Sequence, residues 1–207
     1  MRRPKFIARQ GRRPSGLLGE IIGRVMAHET AVANGIALDL LELRSDDQVL
    51  EIGFGHGHAL AAAAEVVTAG FLAGIDHSGV MRRIARSNNS CAVRCGHMEL
   101  TVADSGHIPY PDRRFNKVLT MHTIYFWRDL KRQIEEIRRV MSDGGRVVIG
   151  YRPSEDERFA DQFPESVYII RSIKETETLV AEAGLHGIQT SSQRLSSNLL
   201  AWTVAHK

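Results

Sequence analysis

The feature that most constrains the fold is a short apolar run that leads through closely spaced glycines into an alanine-rich segment, VLEIGFGHGHALAAAAEVV over residues 49–67. Residues 49–52 have the length and character of a buried strand, and residues 58–67 those of a helix. At such a turn the missing side chains let a ligand approach the backbone, and the N–H groups that open the helix point at anionic atoms. The run predicts the first strand–turn–helix unit of an α/β fold, with a ligand site at the turn.

The same alternation continues along the chain. Ser78 is a suitable N-cap for a helix, and residues 130–141 form another that Asp143-Gly144-Gly145 stops. Strands that alternate with helices imply a parallel sheet with right-handed crossovers. After the first strand, the predicted parallel strands are 71–75, which ends at Asp76, then 100–103, 115–120 and 146–151.

The C-terminal part of the chain has a different pattern. Residues 172–175 form a capping box that opens a helix ending near Gly184. Two extended runs follow directly, at 187–195 and 198–205, with only a few polar residues between them. We expect these runs to pair as an antiparallel hairpin at the edge of the sheet.

Length and charge indicate one globular domain with a basic N-terminal arm. The 207 residues are 43% apolar and 25% charged, which suits a single core. We expect residues 1–15 to be a flexible arm and residues 16–207 to be the domain, with residues 16–45 as a helical cap. The arm is a solvated tail, a transit sequence or a segment that touches nucleic acid, an anionic membrane or an acidic substrate. Its basic residues all precede the first acidic residue, Glu20: Arg2, Arg3, Lys5, Arg9, Arg12 and Arg13.

The cysteine content and the hydropathy narrow the class of protein further. Cys91 and Cys95 are the only cysteines, so a disulfide framework is excluded. They have no partners at zinc-ligand spacing, and we therefore expect buried or incidental thiols, with a two-thiolate metal or arsenic site as the alternative. No apolar run approaches the roughly 20 residues that span a bilayer, and the first residues lack a secretory apolar stretch. We expect a cytoplasmic protein.

The acid at the end of the second predicted strand indicates a nucleoside ligand. Asp76 lies about twenty residues beyond the glycine turn, where a carboxylate accepts hydrogen bonds from ribose hydroxyls. This spacing alone fits NAD and S-adenosylmethionine equally. Three details favour the methyl donor: His58 replaces the last glycine of a dinucleotide fingerprint, Glu51 precedes the turn, and the chain ends in a hairpin.

Four segments in order resemble the motifs of class I S-adenosylmethionine-dependent methyltransferases, especially the small-molecule group related to the ubiquinone/menaquinone methyltransferases. They are VLEIGFGHG (49–57), GIDHS (74–78), VADSGHIPYPDRRFNKVL (102–119) and SDGGRVVIG (142–150). The resemblance implies a Rossmann-like three-layer αβα sandwich, with a seven-stranded, mostly parallel sheet and an antiparallel C-terminal strand. Asn116 and Asp143 depart from the usual motifs, at positions that do not touch the expected donor contacts.

The resemblance also implies which residues bind S-adenosyl-L-methionine. The residues expected around its methionine part are Glu51, Gly53, Gly55 and Gly57. Asp76 would hold the ribose, and Asp104 would accept from the adenine amino group. The remaining residues of the implied donor site are Phe54, His77, Met81, Ser105 and Met121, of which His77 and Met81 would pack against adenine and Ser105 would lie beside it.

Methyl transfer requires in-line alignment of the acceptor and the exclusion of water, since the sulfonium already activates the methyl group. If the acceptor must lose a proton, His122 is the candidate base, with Tyr125 beside it in the run 120–127. The alternative is that His122 contacts the donor through its backbone and that the aromatic residues only pack. His56 is a further candidate for the donor pocket.

We expect a small-molecule acceptor, since residues 120–127 lack the signature of nucleobase-amine methyltransferases. The two helices before the first strand and residues 153–171 are the predicted lid over the donor. An RNA methyltransferase guided by the basic arm, a non-catalytic donor-binding module and a homodimer stay open. The candidate acceptor contacts are Met26, His28, Glu29, Tyr151, Arg152 and Tyr168.

Overall fold

The computed structural model describes residues 31–163 and 166–207. The described part forms strands β1 (Gln48–Ile52), β2 (Phe71–Asp76), β3 (Met98–Val102), β4 (Phe115–Met121), β5 (Met141–Tyr151), β6 (His186–Leu195) and β7 (Asn198–His206). Its helices are α1 (residues 31–41), α2 (His58–Val66), α3 (Gly79–Asn88), α4 (Ser90–Arg94), α5 (Leu130–Val140), α6 (Glu157–Gln162) and α7 (Ile173–Glu182). A short 3₁₀ turn covers Ile124–Phe126.

The strands form one sheet in the order β3-β2-β1-β4-β5-β7-β6. Strands β1 to β5 pair in parallel, whereas β7 is antiparallel to both β5 and β6. The strand order reverses between β1 and β4, and a ligand crevice forms at the carboxyl ends of the strands at such a switch point. The predicted Rossmann-like sheet and its terminal hairpin are confirmed.

Helices cover both faces of the sheet, and apolar side chains alternate between the two faces along the buried strands. On one face, Leu50 and Ile52 pack with Ile134 of α5 and Val180 of α7. On the other face, Val49 packs with residues of α2 and α3, including Leu60, Ala63, Met81 and Ala85. This two-sided burial explains why the strands are apolar at nearly every position.

The start of β5 differs from the prediction. Helix α5 ends at Val140, and β5 begins at Met141 and continues through the glycines that were predicted to stop the helix. Met141 pairs with Phe115, both side chains are fully buried, and the register then shifts before Lys117 pairs with Arg146. The apolar Met141 fits the pattern of the preceding helix as well as that of the strand, so only its pairing with Phe115 decides its conformation. Strand β3 also begins two residues earlier than expected, at Met98.

Helix α1 packs on the sheet and is fastened at both ends of its described length. The indole N–H of Trp202 donates to the carbonyl of Ala33 at 3.1 Å. At the other end, Lys117 Nζ donates to the carbonyl of Leu41 at 2.6 Å, and Arg146 donates to that of Leu40 at 2.9 Å. These cations satisfy carbonyls that the end of a helix leaves without partners. No helix in residues 31–163 and 166–207 is long and apolar enough to cross a membrane.

Candidate active site

A cavity of about 420 Å³ lies at the carboxyl ends of β1, β2 and β4. This volume is within the range of about 300–1,000 Å³ that is typical of small-molecule sites. His56 borders it as well, whereas Gly57 and Tyr125 do not. The sequence-predicted residues that line the cavity are Glu51, Gly53, Phe54, Gly55, Asp76, His77, Met81, Asp104, Ser105, Met121 and His122.

The glycine turn between β1 and α2 has two structural glycines and one that faces open space. A Cβ atom on Gly53 would collide with the Thr123 side chain, and one on Gly57 would lie 2.6 Å from Asn89 Nδ2. Around Gly55, which has a φ of 51°, nothing lies within 4 Å of the Cβ position. Gly57 is thus buried against α3, while Gly55 leaves space into which a ligand fits.

The Asp76 carboxylate joins the end of β2 to this turn. Its Oδ1 accepts from the Ser78 N–H at 2.8 Å, and its Oδ2 accepts from the Gly55 N–H at 3.1 Å. Burial raises the pKa of Asp76, although these two hydrogen bonds favour the charged form. Each carboxylate oxygen keeps a second lone pair, so Asp76 retains the capacity to accept from a ligand hydroxyl at the cavity wall.

Glu51 is the most unusual group in the cavity. Its side chain is only 4% exposed, and Oε2 has no hydrogen-bond partner among the described residues. Burial, and then the negative charge of Asp76, raises the pKa of Glu51 to about 8. Because a buried polar atom without a partner is costly, this oxygen calls for a donor from a ligand, such as an ammonium group. The amino group of S-adenosylmethionine fits that requirement.

Two further side chains line the cavity with unpartnered oxygens, and the sequence did not identify them. Asn34 Oδ1 on α1 and Gln133 Oε1 on α5 are buried without a hydrogen-bond partner in the described structure. Gln133 lies beside the 104–106 loop, since a Cβ on Gly106 would be 3.5 Å from Gln133 Nε2. A polar residue within the apolar stripe of α1 was a usable signal for Asn34. Gln133 stands among charged residues of an amphipathic helix, where no pattern distinguishes it.

His122 follows β4 and takes a left-handed backbone conformation, with a φ of 56°. Its N–H donates to the carbonyl of Gly150 at 2.8 Å, which fixes the residue at the end of β5. Its ring nitrogen Nδ1 lies 3.1 Å from the hydroxyl of Tyr125. Burial, with a smaller contribution from Arg152, lowers the pKa of His122 to about 4. The imidazole is therefore neutral near pH 7 and accepts a proton weakly.

Tyr125 lies behind His122 and is 3% exposed. Its hydroxyl accepts from the backbone N–H of Arg152, and burial raises its pKa. The Arg152 guanidinium is itself engaged by Asp156, at 3.0 Å from Nε and 2.7 Å from a terminal nitrogen. Tyr168 packs against Tyr125 with 5.7 Å between ring centroids and an angle of 34° between the ring planes. These residues support the loop after β4 from behind.

None of the predicted acceptor contacts within the described residues lines the cavity. Tyr151, Arg152 and Tyr168 do not line it, and Tyr151 instead contacts Thr203 through its hydroxyl at 3.2 Å. The predicted contacts at positions 26, 28 and 29 lie outside the described residues. Phe126 and Trp127 of the same loop do border the cavity.

Metal ligands do not gather in the described ranges. No group of three or more His, Cys, Asp or Glu side chains there is placed to hold a metal ion. Cys91 and Cys95 both lie at the surface as free thiols.

Comparison with known proteins identifies the family. The model of the family described as "Methyltransferase domain" matches residues 50–149. The putative methyltransferase YrhH of Bacillus subtilis (strain 168) is 30% identical over 130 residues, which cover 62% of this chain and 71% of YrhH. The chain therefore belongs to the S-adenosylmethionine-dependent methyltransferases of this family. The match decides for S-adenosylmethionine over NAD as the cofactor.

A further relative is similar in sequence, and two solved structures are similar in fold. The ubiquinone/menaquinone biosynthesis C-methyltransferase UbiE of Geotalea daltonii is 28% identical over 114 residues, covering 55% of this chain and 48% of that protein. A SAM-dependent methyltransferase structure from Aquifex aeolicus has a TM-score of 0.69 at 18% identity, covering 84% of this chain and 89% of that one. A geranyl diphosphate methyltransferase in complex with SAM has a TM-score of 0.70 at 14% identity, covering 93% and 92%.

Proposed function

We propose that this methyltransferase transfers the methyl group to a small-molecule acceptor by in-line displacement. The proposal rests on one observation: the unpartnered Glu51 carboxylate and the loop after β4, which contains His122, line one cavity of about 420 Å³. A donor held at Glu51 and an acceptor held at the loop after β4 share that space. Bound S-adenosylmethionine supplies an electrophilic methyl group, so the protein acts mainly through alignment and the exclusion of water.

The residues around the glycine turn bind the donor in this proposal. Glu51 accepts from the amino group, and the backbone at Gly55 lies against the methionine part. Asp76 accepts from the ribose hydroxyls with its remaining lone pairs. Phe54 and Met121 contribute apolar walls, while Gly57 acts indirectly by holding the start of α2 against α3.

The adenine end of the donor lies in the proposal between the loop after β3 and helix α5. Asp104 and Ser105 face the ring edge, and His77 and Met81 flank the ring. Gln133 adds an amide beside Asp104 that has the polarity to bind the adenine amino group. The unpartnered buried oxygens of Glu51, Asn34 and Gln133 all line the cavity, which supports a ligand with several polar groups.

The acceptor in this proposal contacts His122, Phe126 and Trp127, with Tyr125 as the support of His122. Apolar walls with a few polar groups are typical of small-molecule sites. The relatives named for ubiquinone/menaquinone biosynthesis and as a 27-O-demethylrifamycin SV methyltransferase carry small-molecule names and favour the same class. The arm (1–15) and residues 16–30 of the cap (16–45) lie outside the described residues, and both keep their roles as proposals.

Radiolabelled methyl transfer tests the acceptor class. The full chain is incubated with S-adenosylmethionine that carries a labelled methyl group, with a panel of small phenols and quinols in one arm and total RNA in the other. We expect label in the small-molecule fraction. Label only in RNA, lost when residues 1–13 are removed and steeply weakened by salt, would refute a small-molecule acceptor and support an RNA methyltransferase.

A further inference from the structure

The hydrogen bonds behind His122 determine which of its ring nitrogens carries the proton. Within the described residues, the Tyr125 hydroxyl has two hydrogen-bond partners, the backbone nitrogen of Arg152 and Nδ1 of His122. The backbone N–H of Arg152 only donates, so the phenol oxygen accepts that bond. The single proton of the hydroxyl is then available for His122 alone.

The proton count at this buried hydroxyl leaves one arrangement that satisfies every group. If Nδ1 of His122 carried hydrogen, it would donate to Tyr125, and the phenol proton would be buried without an acceptor. Tyr125 is 3% exposed, so water does not replace the missing partner easily. If Nδ1 carries no hydrogen, it accepts the phenol proton, and all three groups are paired. The neutral ring then holds its hydrogen on Nε2.

The charge of the ring is consistent with this count. Burial and the nearby Arg152 lower the pKa of His122 to about 4, so the imidazole carries one proton near pH 7. Among the described residues, Nε2 has no hydrogen-bond partner, and His122 borders the cavity. Nε2–H is therefore the group that His122 offers to a ligand.

We propose that Tyr125 is a positioning residue that fixes His122 as a hydrogen-bond donor to the methyl acceptor, and that the acceptor is an acidic phenol or enol bound as its anion. The inference rests on the proposed function, since it concerns the acceptor side of that cavity. Neither ring nitrogen of His122 has a free lone pair with which to take a proton. An acceptor that arrives ionised needs no such base, and its oxygen accepts from Nε2–H.

Methyl transfer to such an anion balances without a proton acceptor. The electron pair of the phenolate or enolate forms the bond to the methyl carbon while the carbon–sulfur bond breaks. That bonding pair stays on sulfur, which becomes a neutral thioether. The negative charge of the acceptor and the positive charge of the sulfonium disappear together, and no proton leaves in this step.

Nitrogen NMR tests the tautomer without any turnover. The full chain is labelled with ¹⁵N-histidine, and His122 is assigned by the loss of its signals in His122→Gln. Two-bond ¹H–¹⁵N spectra distinguish a protonated from an unprotonated ring nitrogen. We expect Nε2 of His122 to be protonated and Nδ1 to be unprotonated near pH 7. Tyr125→Phe, which removes only the hydroxyl, should produce a mixture of tautomers while the other histidine signals stay in place.

A protonated Nδ1 in the wild-type spectrum would overturn the inference, and it would do so even if Tyr125→Phe failed to fold. An unchanged His122 tautomer in a folded Tyr125→Phe protein would show that Tyr125 does not set it. Both results are independent of donor binding, so they do not depend on whether the proposed function is correct.

Binding of 4-nitrophenol tests the acceptor class in protein saturated with S-adenosylhomocysteine. The absorbance of the probe reports its ionised form, and 4-nitroanisole is the control that has no ionisable oxygen. Since a hydrogen bond to a charged group is strong, we expect His122→Leu to weaken nitrophenolate binding about tenfold or more and to leave 4-nitroanisole unaffected. Equal losses for both probes, or no binding of nitrophenolate to the wild-type protein, would refute the anionic acceptor. Failure of S-adenosylhomocysteine to bind would instead refute the proposed donor site.

Discussion

Replacing Glu51 by glutamine should stabilise the ligand-free protein and weaken donor binding at the same time. The folded state raises the pKa of Glu51 from 4.5 to about 8, chiefly by burial. Folding therefore disfavours the charged carboxylate, and this group contributes a loss of stability that grows as the pH rises from 4.5 to about 8. At about 1.4 kcal/mol per pH unit, the loss amounts to roughly 3 kcal/mol between pH 4.5 and pH 7. The glutamine amide does not ionise, so the variant avoids that loss.

Donor binding should change in the opposite direction. The carboxylate that burial disfavours is the form that pairs with the ammonium of the ligand, and a hydrogen bond between charged groups contributes about 1.5–3 kcal/mol. We therefore expect Glu51→Gln to weaken S-adenosylhomocysteine binding by about tenfold to a hundredfold. Wild-type affinity should also rise with pH towards about 8, while the pH dependence of the variant is flatter.

Two measurements on the same samples check this prediction. Urea unfolding at pH 5 and pH 7 gives the free energy of unfolding, and isothermal titration with S-adenosylhomocysteine gives the affinity. Glu65→Gln is the matched control, because Glu65 is an exposed glutamate on α2 that does not line the cavity. If Glu51→Gln lowered stability at pH 7, or left donor affinity equal to that of the control, the reasoning from the buried carboxylate would be wrong.

Three further changes separate the cavity from the scaffold. Gly55→Val should abolish S-adenosylhomocysteine binding in a titration by filling the ligand space. The control is Gly96→Val, because Gly96 also has a left-handed backbone and open surroundings but lies away from the cavity. It should lower the stability of the protein and leave ligand binding unchanged. Gln133→Leu should weaken the binding of S-adenosylhomocysteine by about 1–2 kcal/mol and the binding of S-inosylhomocysteine by less, with Arg132→Leu as the exposed control. Equal effects on the binding of both ligands would refute recognition of the adenine amino group by the Gln133 amide. Trp202→Ala should lower the free energy of unfolding by about 3–5 kcal/mol, because it removes an indole that is 1% exposed and packs under α1. A change of less than about 1 kcal/mol in urea unfolding would contradict this packing.

The sequence predicted the sheet and most of the cavity lining because these depend on local patterns. The run at 49–57 sets a strand end, a turn and a helix start within a few residues, and Asp76 follows at the end of the neighbouring strand. The start of β5 was missed because Met141 fits a helix or a strand, and its partner Phe115 is distant in the chain. Local pattern does not carry that pairing.

Properties that arise from burial, such as shifted pKa values and unpartnered polar atoms, were also not predictable from the sequence. The position of His122 after β4 made it the candidate base for an acceptor that must lose a proton, but its low pKa follows from desolvation and from Arg152, which is thirty residues away. The unpartnered oxygens of Asn34 and Gln133 emerge only when α1 and α5 converge on the same cavity. Sequence patterns locate such residues on helices without showing what faces them.

The fastening of α1 has a thermodynamic consequence for ligand binding. Trp202 holds the carbonyl of Ala33, next to Asn34, and Lys117 and Arg146 hold the opposite end of the helix. Hydrogen bonds within the protein thus hold the helix that presents Asn34 in place without a ligand. A ligand that binds its amide does not have to order this helix, so little conformational entropy is lost there on association. Contacts to this helix should therefore retain more of their interaction energy as affinity than contacts to a segment that orders only on binding.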